Sequence, residues 1–359
     1  MIFCMKYLST FSGIGGFELG IQQAYANKTL EKTPEQTRNT LSSRKLLDIR
    51  HRLGGEEATC IGYSEIDKYA TSIYQKHFPN HKNYGDITTI NAGALPDFEM
   101  LVGGFPCQSF SIAGKRHGFN DTRGTMFFEI ARIVREKQPR LLLLENVKGL
   151  LSHDKGNTFL TIISTLDELG YDCQWQVLNS KNHGVPQNRE RVFIIGHLRG
   201  TSRPEVFPFG GTNGETNVVS DKNQLLKWSK SRGMDNGKRR DEERLLKSGT
   251  SQTLSTGEGC GNFSSKNYIQ QLNQPKHSND RVYGTDGVSP TLNTMQGGNR
   301  QPFIPEDSRI RRLTPTECER LQGFPDGWTE GVSDTQRYKT LGNAVTVNVI
   351  KDVFSRIMV

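Results

Sequence analysis

Short, wholly apolar runs punctuate the first half of the chain, among them Met100-Leu101-Val102, Leu141 to Leu144 and Val192 to Ile195. Runs of three or four apolar residues without polar alternation are what strands covered on both faces require. Between them lie longer stretches with apolar positions at helical spacing, such as Thr125 to Val134 and Phe159 to Leu169. From Lys6 to Ile195 the short runs end in Gly, Asp or Glu and alternate with these helical patterns, which predicts an open α/β sheet. After about His197 the texture shifts to Gly, Asn, Ser and Lys/Arg with few long apolar runs, which predicts a second, loop-rich domain. Further on, Thr314-Pro315-x-Glu317 reads as a helix start with proline at its first position, and Asn343 to Phe354 is largely apolar and helix-like.

Composition narrows this picture little. The 359 residues suffice for two domains or one large one. Lys+Arg 46 against Asp+Glu 38 gives a net charge of +8, which suits a polyanionic partner without requiring one. The six cysteines (Cys4, Cys60, Cys107, Cys173, Cys260, Cys318) show no CxxC pairing, and no histidine cluster has zinc spacing, so neither a structural metal nor a disulfide framework is expected. No apolar run approaches the roughly 20 residues of a membrane span, and the N-terminus lacks signal-peptide order. A soluble protein of a reducing compartment, the cytoplasm, is the expectation.

Candidate chemistry changes the picture more. Gly103-Gly104-Phe105-Pro106-Cys107-Gln108-Ser109-Phe110-Ser111 sets one cysteine in a turn directly after an apolar run, where Gly and Pro can present its sulfur in a cleft. Phe11-Ser12-Gly13-Ile14-Gly15-Gly16-Phe17 is a turn in which backbone can approach a ligand closely. It is not a dinucleotide fingerprint, because the third glycine position holds Glu18, and Glu31 and Glu35 sit in a polar stretch with no strand before them. Leu141 to Leu144 lead into Glu145-Asn146-Val147, and Gln187-Asn188-Arg189-Glu190-Arg191 introduces the run Val192 to Ile195. Ligands of open α/β sheets collect at the carboxyl ends of strands, where Gly13, Glu65, Asp86, Cys107 and Glu145 all fall.

In this order, with Gly85-Asp86-Ile87-Thr88 between and Gly342-Asn343-Ala344-Val345 near the end, the chain resembles the DNA (cytosine-5)-methyltransferase family. The resemblance runs from about Tyr7 to Gly196 and again from about Arg309 to Ile350. It implies a Rossmann-like, S-adenosylmethionine-dependent catalytic domain over 1–198, a smaller target-recognition domain over 199–332, and a segment 333–359 that returns to the first domain. It also marks a departure, a polar insertion at about 28–57 that reads as a surface elaboration.

The same resemblance assigns roles. Gly13, Ile14, Gly15 and Gly16 would cradle the methionine part of the cofactor and Phe11 would pack on its adenine; Glu65 would accept from its ribose hydroxyls and Asp86 from its adenine amino group, with Ile66 and Ile87 beside them, and Asn343 and Val345 would wall the pocket. Read singly, Asp86 could equally cap a helix and Asn343 form a turn. Cys107 would attack cytosine C6 and Glu145 would serve the N3 edge. Arg189 and Arg191, two apart on an extended segment, would together hold that carboxylate and the base carbonyl, with Arg189 the firmer of the two. Gln108, Ser111, Lys115, Arg116 and Gln187 are expected at the DNA, with Ser109 to Thr125 as a closing loop. The partner implied is double-stranded DNA bound by a monomer, any cognate restriction endonuclease acting separately.

Target reading falls to about Arg199 to Ser308. Lys227, Lys230, Arg232, Lys238, Arg239 and Arg240 suit phosphate contacts or an ordinary solvated surface, and Gln252, Asn262, Asn293, Gln296 and Arg300 could meet base edges. Two other readings differ in kind. A tRNA-directed relative would carry Cys-Phe-Thr and lack the long recognition stretch, and a catalytically silent regulatory homologue would have lost parts of the set Cys107, Glu145 and Arg189.

Overall fold

The computed structural model describes residues 5–31, 58–106, 126–209, 217–219, 269–275, 280–294, 301–306 and 309–358. Its centre is a seven-stranded mixed sheet. Four strands run parallel: β1 (Lys6–Thr10), β2 (Thr59–Ser64), β3 (Met100–Gly104) and β4 (Leu141–Val147). Beside β4 come β5 (Tyr171–Asn179), β7 (Glu190–Leu198) and β8 (Asn217–Val219), in the order β2-β1-β3-β4-β7-β5-β8, with β7 antiparallel to both β4 and β5. The predicted α/β sheet is therefore present.

The helices of this lobe are α1 (Gly16–Glu31), α2 (Lys68–His77), α3 (Met126–Lys137) and α4 (Asn157–Glu168). Both helical patterns singled out in the sequence thus form helices, α3 and α4. The unbroken apolar runs have a direct cause in the pleat. Leu142 and Leu144 of β4 join Leu101, Val192 and Ile194 under α3 and α4, in one core with Phe127, Ile130, Phe159 and Ile162. Their neighbours Leu141 and Leu143 join Met100, Val102, Phe193 and Ile195 on the opposite face, against Ile21 and Tyr25 of α1 and against Ile350 and Phe354.

Those last two residues belong to α7 (Val347–Ile357), which packs with α1 in this second core. It is preceded by α5 (Pro315–Gln322) and α6 (Asp334–Asn343). The helix start read at Thr314 is a complete capping box, with Thr314 and Glu317 bonding each other's backbone N–H groups. The expected single helix over Asn343 to Phe354 is instead broken. Asn343 ends α6, Ala344 (φ −66°, ψ 148°) and Thr346 (φ −73°, ψ 118°) are extended, and α7 starts afresh at Val347.

Four short strands complete the smaller part: β6 (Gln187–Asn188) pairs with β9 (Ser289–Pro290), and β10 (Phe303–Glu306) with β11 (Arg309–Arg312). Residues beyond 198 also reach the central sheet and its core. Val206 and Phe207 are fully buried in the catalytic core, and β8 extends the central sheet. A third core joins Ile14, Tyr74 and Phe78 to Leu313, Leu321, Phe324 and Trp328, so residues near 313–328 pack on the catalytic lobe as well. Of the insertion at 28–57, Lys28 to Glu31 continue α1, and 32–57 lie outside the described residues.

A charged residue interrupts the apolar face of α1. Glu18 on α1 is fully buried, and burial pushes its carboxyl up from 4.5 to about 7, against the opposing effect of the Ser9 and Tyr74 hydroxyls. Its folded-state pKa exceeds the unfolded one, so the folded state binds the extra proton. The contribution of this group to stability is fully present below about pH 4.5, is lost as pH rises towards 7, and amounts to roughly 3 kcal/mol. Glu18→Gln is expected to remove this slope, giving a variant that melts higher than the parent at pH 8 and no higher at pH 5. Parallel melting curves at both pH values check it.

Candidate active site

The parallel strands end together. Thr10 stands beside Ser64 of β2 and Gly103 of β3, and Gly104 stands beside Glu145 of β4. Since β1 has β2 on one side and β3 on the other, the loop after β1 opens at a topological switch point, the place where such sheets take ligands.

That loop is built for close approach. Phe11 (φ 52°), Gly13 (φ 57°) and Gly15 (φ 89°) turn it through left-handed backbone, and α1 begins at Gly16. A Cβ on Gly15 would fall 2.5 Å from the Phe78 ring, and one on Gly16 would fall 2.8 Å from Val345, the expected pocket wall. Gly13 N–H donates to Glu65 Oε2 at 2.9 Å, while Glu65 Oε1 accepts from Ile66 N and Asp67 N, both at 2.8 Å. The carboxylate therefore ties the β1 loop to the β2 loop. Beside it Ile66 is 75% exposed, an apolar surface uncovered among the described residues.

Other expected cofactor residues divide. Ile14 and Ile87 turn their side chains into the third and first cores, so only their backbones remain for a ligand. Asp86 is exposed and does cap a short helix, its Oδ1 accepting from Thr88 N at 2.9 Å and Thr88 Oγ1 at 2.8 Å. Asn343 is exposed at the end of α6, and Val345 lies against Gly16. The glycine cradle, fixed carboxylate and exposed apolar flank fit a nucleoside with a small charged tail.

The second half of the site lies at the ends of β3 and β4. Glu145 is nearly buried, and its Oε1 lies 3.0 Å from Arg191 Nε. Gly104 opposite leaves room for it, because a Cβ there would stand 3.0 Å from Glu145 Oε2. Burial raises the Glu145 pKa, and the charges of Arg191 and Arg189 oppose the rise. The net result is a carboxyl that keeps its proton to higher pH than an exposed one. Asn146 donates from Nδ2 to Phe105 O at 2.8 Å and so holds the chain just before Pro106 and Cys107. Cys107 itself, with Gln108, Ser111, Lys115, Arg116 and the rest of the closing loop, lies outside the described residues, as do all the recognition candidates named above except Asn293.

The two arginines do not share a target as expected. Arg189 N–H bonds back to Gln187 O at 3.1 Å, a tight turn before β7 begins at Glu190, so the alternation of an extended strand fails there. Arg191 takes the contact with Glu145. Arg189 is 2% exposed and spends its guanidinium on backbone, reaching Leu292 O at 3.0 Å, Gly342 O at 3.0 Å and Ala344 O at 2.9 Å. Its pKa is pushed down to about 9 by burial and by Arg191, with Glu145 acting against both, which leaves it charged at neutral pH. Gln187, expected at DNA, is wholly buried, donating to Leu321 O at 2.8 Å and accepting from Leu292 N at 3.1 Å. Its side chain acts as a strut within the protein.

Sequence reasoning missed Asn146 and Trp328. The first was signalled only by its place after Glu145. Trp328, whose Nε1 donates to Ile14 O at 2.9 Å and pins the cofactor loop from 314 residues away, gave no local signal.

The profile of the C-5 cytosine-specific DNA methylases matches residues 5–359. The chain belongs to this family. Among C-5 methylases it is 37% identical to the Type II methyltransferase M1.ScrFI of Lactococcus lactis subsp. cremoris over 349 residues, covering 91% of this chain and 81% of that protein. It is 33% identical to the Type II methyltransferase M.HhaI of Haemophilus parahaemolyticus over 97% of this chain and 92% of that one. In fold it is similar to the S. pombe Dnmt2 methyltransferase, with a TM-score of 0.59 and 18% identity over 98% of this chain and 97% of that one. Among the described residues no helix is long and apolar enough to cross a membrane.

Proposed function

We propose that this C-5 cytosine DNA methyltransferase methylates C5 of a flipped-out cytosine within a short duplex sequence, using S-adenosylmethionine and a transient bond between Cys107 and C6. The observation that carries the reading is the near-buried Glu145 carboxyl, gripped by Arg191 and facing the glycine-opened end of β3 that leads to Cys107.

Cytosine C5 is too weak a nucleophile to be methylated directly. Adding the Cys107 thiolate to C6 gives C5 enamine character, and the charge that builds on N3 needs a hydrogen-bond donor. Glu145 supplies one because burial keeps it protonated further up the pH scale, and Arg191 orients it and can reach the adjoining base carbonyl. When bound in the β1 loop, S-adenosylmethionine supplies an electrophilic methyl group. Gly13, Gly15 and Gly16 would admit its amino-acid part, Glu65 would take its ribose hydroxyls, Ile66 would cover its adenine, and Asp86, Asn343 and Val345 would complete the wall. Departure of the C5 proton and of the thiolate then restores the ring.

C6 is inaccessible in a stacked duplex, so the target base must leave the helix to reach this pocket. The substrate in this reading is double-stranded DNA, met by a single copy of the chain, with any cognate endonuclease acting separately.

The test is bisulfite sequencing of DNA from methylation-free cells that express the chain. Protected cytosines confined to one short motif are expected. Uniform conversion in the presence of soluble protein would refute the reading, and tRNA would be the next substrate to assay.

A further inference from the structure

Leu292 is held by both ends of its peptide unit. Its N–H donates to Gln187 Oε1 at 3.1 Å, and its carbonyl accepts from Arg189 Nη1 at 3.0 Å. It belongs to Pro290-Thr291-Leu292-Asn293-Thr294, inside the stretch expected to read DNA, and the hydroxyl of Thr291 adds a bond to Asn188 O at 2.6 Å. The second nitrogen of Arg189, Nη2, bonds Gly342 O and Ala344 O, the carbonyls on either side of Asn343. One guanidinium therefore holds both the recognition stretch and the cofactor wall.

The two backbones also touch directly. A Cβ on Gly342 would lie 2.1 Å from Asn293 O and 2.8 Å from Thr294 N, so no side chain fits between them. Around this contact Gln187 Nε2 donates to Leu321 O, Gln322 Nε2 donates to Leu341 O at 2.7 Å, and Thr346 donates to Gln322 Oε1 at 2.9 Å. Gln187, Arg189 and Gln322 are all 2% exposed or less. Buried carbonyls that lose such a donor keep their full desolvation cost, so the junction has one favoured register.

We propose that Arg189 is a positioning residue that fixes the recognition stretch at Leu292 to the cofactor wall at Asn343 and Val345, coupling cofactor binding to target discrimination. This rests on the methyltransferase reading and concerns how its site is assembled. Arginine is the residue for the task because a planar fork reaches carbonyls on two separate segments, whereas a lysine ammonium is a point donor on one stem. A segment displaced at Leu292 drags the Gly342–Ala344 turn with it, and cofactor-induced order in that turn acts back on the recognition stretch with the same free energy.

The experiment compares Arg189→Lys with the parent by three measurements: calorimetric affinity for S-adenosylhomocysteine without DNA, discrimination between the mapped site and a one-base mismatch, and single-turnover rate at saturation. Should the lysine variant not melt cooperatively, Gly342→Ala replaces it, since it disturbs the same contact without touching a charge. The expected result is about a tenfold loss in both affinity and discrimination, within the usual range of coupling between sites, with a smaller loss in rate. A rate lowered a hundredfold or more with affinity and discrimination intact would overturn the proposal and restore Arg189 to the chemistry. A lowered melting temperature with all three measurements unchanged would overturn it too. Failure of the parent itself to bind S-adenosylhomocysteine would count against the methyltransferase reading instead, and so is distinguishable.

Discussion

Cys107→Ser is expected to abolish methyl transfer, by a factor of at least about 10⁴, while leaving duplex binding within a few-fold of the parent. A thiol near its ordinary pKa of about 8.5 is partly ionised at neutral pH and strongly nucleophilic, whereas a serine hydroxyl is neither. The oxygen fills nearly the same space, and Phe105 just upstream keeps its bond from Asn146. Transfer of a labelled methyl group and a gel-shift titration, run on the same preparation, separate the two quantities. Activity near that of the parent would remove Cys107 from the mechanism. Joint loss of activity and binding would mean that the turn serves DNA contact and not covalent addition.

Most of the fold was legible because its signals are local. Unbroken runs such as Leu141 to Leu144, bounded by turn signals, read as short strands, and the two cores divide them residue by residue. The capping box at Thr314 is likewise local. Signals fail where a side chain acts at a distance. An Arg-x-Arg pattern predicts two side chains on one side of a strand, and the backbone turn between Gln187 and Arg189 defeats it. Asn343 to Phe354 reads as one helix because its composition is helical throughout. Its break lies where Arg189 and Gln322 claim the carbonyls of Leu341, Gly342 and Ala344, a demand made by residues 19 to 155 positions away. Gln187 shows the same limit, since a buried strut and a base reader use the same amide group, and only burial separates them.

Glu145→Gln is expected to slow the chemical step by about 10² to 10⁴, the usual contribution of a positioned acid. The amide can still donate a hydrogen bond to N3 and keeps the shape of the site, so some rate survives, but it has no proton to give. The pH profile carries the sharper test. Cys107 must lose its proton and Glu145 must keep its own, so the rate should rise on the acid side with the thiolate and fall on the alkaline side with the carboxyl. Because burial raises the Glu145 pKa, the active form is more populated than an exposed carboxyl would allow, and the glutamine variant should lack the alkaline fall. Arg191 opposes the rise with its charge, so Arg191→Ala should raise the carboxyl pKa further while lowering the rate, the carboxyl being no longer held at 3.0 Å. A single-turnover rate unchanged in Glu145→Gln would exclude the carboxyl from catalysis. An alkaline limb that persists in the glutamine variant would show that another group sets it.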